Sequence, residues 1–148
     1  MKNFIFIGMC AFIFGLGMSA CKSKIAVKSE GDFSLIVDKK WTLSEINGVA
    51  LSSMNPQPAT ESFIIFQVTD NRVSGSSGCN NFTGSYKLGP GTTLQFSGVA
   101  STRKMCLDMT IENQMNNLFQ TVDSYTLQGR NLSLKQAKTT LARFVISE

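Results

Sequence analysis

The sequence predicts an α+β domain, mainly antiparallel β: a curled sheet or incomplete barrel with one amphipathic helix packed on it. Three observations lead there. Short stretches of alternating polarity recur from Trp41 onward, turn-forming residues separate them, and a single stretch after Asp108 has helical period. Connections of hairpin length favour antiparallel pairing.

Taken in order, Trp41-Thr42-Leu43-Ser44 alternates large apolar with polar residues and runs into Asn47-Gly48, a turn pair suited to positive φ. Ser52 to Ala59 carries Pro56 and Pro58, which lack backbone donors and mark an exposed loop. Phe63 to Val68 is a short apolar run of β-formers and reads as a central strand, with Asp70-Asn71 turning into Arg72-Val73-Ser74. Phe82, Gly84, Tyr86 and Leu88 share one face of the next strand, which stops at Gly89-Pro90-Gly91; Thr93 to Phe96 returns. The small polar stretch Ser97 to Thr102 carries no clear period.

The period then changes. Ile111, Met115, Leu118, Phe119 and Val122 lie on one face of a helix, with Asp108 or Thr110 as its N-cap and Glu112, Asn113, Gln114, Asn116 and Asn117 on the polar side. Tyr125 with Leu127, Leu132 with Leu134, and Leu141 to Ile146 supply the last strands.

A chain of 148 residues, 43% apolar and 16% charged, fits one folded domain after its N-terminal segments. It contains no histidine, so the commonest general base, zinc ligand and partner of a Ser or Cys nucleophile are missing. Asp70, Asp108, Glu112 and Asp123 have no spacing that sets two carboxylates across a substrate. The expectation is therefore no enzyme, no cofactor and no metal. The net charge of +4 is spread along the chain without a basic run, so nucleic acid is not an expected partner.

Residues 1–20 read as a signal peptide. Lys2 precedes an uncharged apolar run, Phe4 to Met18, whose helix would rise about 22 Å against a hydrocarbon core of about 30 Å. The run ends in Met18-Ser19-Ala20-Cys21, which resembles a bacterial lipobox. There the cysteine thiol takes a diacylglycerol and becomes the new N-terminus. Cys21 is thus the expected lipid attachment point, residues 21–37 a lipid-anchored tether in which Phe33 to Val37 begin to pack, and residues 38–148 the domain. Several acyl chains hold firmly, since each buried CH₂ contributes about 0.8 kcal/mol. Lys22-Ser23-Lys24 follow the cysteine in place of an acidic cluster, which favours the periplasmic face.

Cys10 leaves with the signal, so Cys79 and Cys106 remain. An even pair in an exported protein reads as a disulfide, with two free buried thiols or a redox-sensing pair as alternatives. The most distinctive stretch is Gly75-Ser-Ser-Gly-Cys-Asn-Asn-Phe-Thr-Gly-Ser-Tyr86, in which Asn80 and Asn81 suit a sharp corner between strands. A phosphate loop would need a terminal Gly-Lys-Ser/Thr and a helix behind it, and has neither. Arg103 and Lys104, in Ser101-Thr-Arg-Lys-Met-Cys106, read as a surface pair that could meet an anionic ligand.

Trp41, Leu43 and Asn47-Gly48, the segment above with Gly78, Cys79, Asn80, Phe82, Gly84 and Tyr86, then Thr102, Arg103 and Cys106, the helix and Leu132-Ser133-Leu134 together resemble the META domain, also called the HslJ-like domain. The resemblance covers about residues 38–147. It implies an incomplete, mainly antiparallel barrel with a helix, and Cys79 and Cys106 match the family's cysteines. The family has no known catalytic residues. It includes heat-inducible envelope lipoproteins of bacteria associated with novobiocin tolerance, and secreted or motility-linked proteins.

The expected function is a non-enzymatic cell-envelope lipoprotein that supports stress or antibiotic tolerance through binding. It would be membrane-anchored and face the periplasm, with an envelope protein or an apolar ligand as partner. The alternative is a carrier or inhibitor domain holding a lipid or small ligand in an open-barrel cavity lined by Phe63, Phe66, Phe82, Phe96 and Phe119, although a packed core accounts for the same rings.

Overall fold

The computed structural model describes residues 32–147, except Pro56 and Ala59. The expected signal segment, Cys10, Cys21 and the expected tether as far as residue 31 lie outside the described residues. Nine strands form one antiparallel sheet: β1 (Lys40–Ile46), β2 (Val49–Ala50), β3 (Ser62–Gln67), β4 (Arg72–Ser77), β5 (Asn81–Leu88), β6 (Leu94–Ser101), β7 (Ser124–Gln128), β8 (Asn131–Gln136) and β9 (Thr139–Ile146). Their order is β6-β5-β4-β3-β1-β9-β8-β7, with β2 paired to the end of β1. Among the described residues one α-helix, α1 (Thr110–Thr121), joins β6 to β7. This is the curled, partly closed sheet with one packed helix that the sequence predicts.

Turn chemistry sets the register. Asn47 and Gly48 adopt φ of 49° and 79°, the positive pair of a two-residue hairpin, and bring Ile46 opposite Val49. Asp70 and Asn71, at 57° and 48°, reverse the chain between β3 and β4, so Phe66 pairs with Val73. Short polar side chains hold these backbones in the left-handed region at low cost.

Curling brings the two end strands together at one place. Thr93 bridges Ser124, with the Leu94 N–H donating to the Asp123 carbonyl and the Tyr125 N–H to the Thr92 carbonyl, both at 3.0 Å. Beyond that bridge no described strand pairs with the outer edge of β6, and α1 lies alongside it. The Phe119 ring packs at 4.6 Å from that of Phe82 and 5.2 Å from that of Phe96. Through Phe119 the helix thus covers the inner side of the gap that further ladder hydrogen bonds would have closed, and leaves its outer side open.

The interior is filled with aromatic rings. Phe33, Phe66, Tyr86 and Tyr125 meet at centroid distances of 5.2–5.4 Å. Phe63, expected among the rings lining a cavity, lies on the outer face of β3 beneath the Lys40 ammonium, 4.6 Å from its centroid. Phe66 and Phe82 are buried in the packed core, while Phe96 and Phe119 pack on them and on each other and also border an open groove between β6 and the helix.

The packing expected to begin over Phe33 to Val37 is present: Phe33 and Ile36 are buried, and the Trp41 indole donates to the Ile36 carbonyl at 2.8 Å. A 3-10 turn over Phe33–Leu35, opened by the Asp32 carboxylate accepting from the Ser34 N–H, sets those side chains inward. Several boundaries differ from the sequence reading. β4 continues through Gly75–Ser77, leaving only Gly78-Cys79-Asn80 as the corner, and β6 continues to Ser101. Leu88 ends the apolar face of β5 exposed. Met109, not Asp108 or Thr110, holds the N-cap position of α1, while Asp108 accepts from the Thr110 N–H at 2.8 Å. Hydrogen bonds from the Thr110 hydroxyl and N–H hold the Asp108 carboxyl below its ordinary range. Its help to the helix is therefore present at neutral pH and fades as pH falls through that lowered value.

Candidate functional site

The sequence-distinctive residues split between a cross-braced corner and the core beneath it. At the corner, Gly78 takes a φ of 97°, which only glycine adopts without strain, and turns β4 back toward β5. Its N–H donates to the Ser76 hydroxyl and its carbonyl accepts from the Thr60 hydroxyl. Cys79 is bonded to Cys106, with Cα atoms 6.1 Å apart, which ties the corner to the segment entering α1.

Asn80 is the hub. It is 1% exposed, and its side chain uses every hydrogen-bonding position it has. The amide oxygen accepts from the Thr102 hydroxyl and the Lys104 N–H, both at 2.7 Å. The amide nitrogen donates to the Lys104 carbonyl at 3.0 Å and to the Glu112 carboxylate at 2.7 and 2.9 Å. This settles the orientation of the amide, since a flip would face NH₂ to the Lys104 N–H and oxygen to the carboxylate. One side chain thereby joins the β4–β5 turn, the segment after β6 and the first turn of α1.

Thr102 completes the joint: its hydroxyl accepts from the Asn81 N–H at 3.2 Å and its own N–H donates to the Asn81 carbonyl at 2.9 Å. Arg103 and Lys104 have exposed side chains, as expected, but the Lys104 backbone is the part the corner uses. Met105 and Leu107, on either side of Cys106, are held fully in solvent by these ties.

Phe82, Gly84 and Tyr86 belong to the core. The Tyr86 hydroxyl donates to the Gln67 carbonyl at 3.2 Å; burial, with the charge of Asp38 adding to it, raises the phenol's pKa. Gly84 faces a bulge in β6 at Gly98, whose φ is 58°. A Cβ on Gly84 would lie 2.8 Å from Val99 Cγ2 and 2.9 Å from Val99 Cα. Gly84→Ala is expected to cost about 2 kcal/mol in urea unfolding; a loss under about 0.5 kcal/mol would show that the bulge yields freely.

Glu112 is the residue that the sequence reading misplaced. Expected on the polar face of α1, it is 6% exposed. The signal was present: Glu112 precedes Phe119 by seven residues, almost two full turns, so it sits over a core position. As the third residue of α1 it also meets the positive end of the helix dipole, which favours a carboxylate.

Beside this corner runs an open groove of about 800 Å³ between β6 and α1. Phe96, Val99 and Ser101 form one side, Glu112, Asn116 and Phe119 the other, and Arg103 stands at its end. Chemically the groove offers a negative acceptor in a polar, partly screened trough. The described partner of that carboxylate is an amide, which relays no proton. Among the described residues no cluster of His, Cys, Asp and Glu could hold a metal ion.

A family model described as the META domain matches residues 34–148. The fold is similar to that of a protein from Burkholderia xenovorans solved by NMR. That pair shares 26% identity over 77% of this chain and 85% of the other, with a TM-score of 0.62. A second NMR structure shares 27% identity over 76% and 92% of the two chains, with a TM-score of 0.57. A crystal structure of a DUF4847 family protein from Bacteroides vulgatus also has the fold, with a TM-score of 0.57 at 15% identity over 78% and 96%. No curated protein matches the chain.

Proposed function

Because the chain belongs to the META domain family, we propose that it is a non-enzymatic cell-envelope lipoprotein that supports stress or antibiotic tolerance through binding. Its domain is held to a membrane by acyl chains on Cys21 and faces the periplasm. The observation that carries this reading is the bond between Cys79 and Cys106. Structural disulfides persist in oxidising compartments outside the cytosol, which fits the export and lipidation pattern ending at Cys21. The carrier reading draws less support, because Phe66 and Phe82 are buried in the packed core and Phe63 faces outward, which leaves Phe96 and Phe119 of the expected rings at an open groove and none around a closed barrel cavity among the described residues.

The test is Cys21→Ala in a bacterial host, followed by membrane fractionation and intact-mass analysis. The expected result is an unprocessed precursor or release of the domain, with the native form carrying diacylglycerol-derived mass. Unchanged membrane attachment of the variant, or a native N-terminus without acyl groups, overturns the anchor.

A further inference from the structure

β6 is a sheet edge left open along most of its length. At its start the Leu94 N–H is spent on Asp123, and antiparallel alternation turns the Phe96 N–H and carbonyl to the same side. From Phe96 to Ser101 the ladder runs to β5 alone, and no described backbone group pairs with the outer edge. The wall facing that edge is α1, which turns Glu112, Asn116, Phe119 and Gln120 into the groove.

Glu112 gives the groove its chemical preference. Its carboxylate borders the groove, is almost wholly buried, and makes no ion pair among the described residues. The bonds from Asn80 satisfy part of it, and open acceptor positions remain on a carboxylate with about four lone-pair sites. A cation brought there would meet an anion already stripped of most of its water.

We propose that the groove between β6 and α1 binds an extended peptide segment as an added strand, with a lysine or arginine side chain of that segment over Glu112. Six residues of β6, Phe96 to Ser101, span about 20 Å, enough for a strand of five or six residues. The bulge at Gly98 and the facing helix stand against a whole second sheet, including another copy's β6, while the groove of about 800 Å³ has room for one extended segment. Main-chain bonds to the open edge supply affinity and Glu112 supplies selection, the division of labour seen in strand addition generally.

This deepens the binding role proposed above but rests on the folded domain alone. Failure at the groove leaves membrane attachment through Cys21 untouched, and a chain without acyl groups keeps the groove.

The test is NMR titration of the ¹⁵N-labelled full chain with acetyl-Thr-Val-Lys-Val-Thr-amide. The expected shifts fall on the β6 amides from Phe96 to Ser101 and on the groove face of α1. The same peptide with glutamate for lysine should bind about tenfold more weakly. Glu112→Gln, which keeps an acceptor for Asn80, should abolish that preference. N-methylating the peptide amides along one edge should remove binding to the unaltered protein, a readout that holds even if the variant folds poorly. Absence of shifts along β6 at millimolar peptide, or equal binding of the lysine and glutamate peptides, overturns the proposal.

Discussion

Asn80→Ala is expected to lower the unfolding free energy by about 4 kcal/mol, read by urea titration. The side chain holds two backbone groups of Lys104, the Thr102 hydroxyl and the Glu112 carboxylate, and alanine reaches none of them. Thr102 is exposed and can turn to water; the buried carboxylate cannot do so without moving α1. The net loss therefore exceeds that of a single hydrogen bond. Asn80→Asp separates charge from geometry. It sets a second carboxylate against Glu112, which raises the pKa of the pair in the folded state. Its penalty is largest above the carboxyl range and shrinks as pH falls and one group takes a proton. A loss below about 1.5 kcal/mol for Asn80→Ala, or a pH-independent Asn80→Asp, would show that the corner is held by other means.

Cys79→Ser with Cys106→Ser is expected to cost about 3.5 kcal/mol, the chain-entropy value for a closed loop spanning a sequence separation of 27. The bond closes β5, β6 and the approach to α1 into one loop, so its loss frees that loop in the unfolded chain while leaving the native ladder in place. The prediction is a fall in urea midpoint with an unchanged native near-ultraviolet signal. Because Asn80 braces the same two segments, the triple variant should lose measurably less or more than the sum of the separate losses, with a coupling of about 1 kcal/mol. Strict additivity would mean that the covalent and polar ties act on independent parts of the fold.

The fold was legible where a local pattern had one physical meaning. Asn47-Gly48 and Asp70-Asn71 announce reversals because few other pairs tolerate positive φ, and Ile111, Met115, Leu118 and Phe119 announce a buried helical face by spacing alone. Where two patterns compete, local sequence points the wrong way. The charge of Glu112 points to solvent, whereas its position over Phe119 points inward, and position prevails. The end of β6 was obscured by small residues and by the Gly98 bulge, which breaks the alternation that identifies a strand. The 3-10 turn at Phe33 is too short to show a period, and its burial depends on rings from β3, β5 and β7 that only the folded chain brings together. Asn80 was recognised as a corner residue, but its reach to Lys104 and Glu112 spans separations of 24 and 32 positions, which local sequence cannot reveal.

Phe33, wedged against Phe66, Tyr86 and Tyr125, and the buried Ile36, latched by the Trp41 indole, act as a cork where the chain enters the domain. The strand that follows is no edge strand but sits between β3 and β9. A tug on the N-terminus therefore meets the cork first and then loads two ladders in shear, which must slip together, whereas a peeled edge gives way one bond at a time. A domain entered this way is suited to mechanical strain arriving from that end.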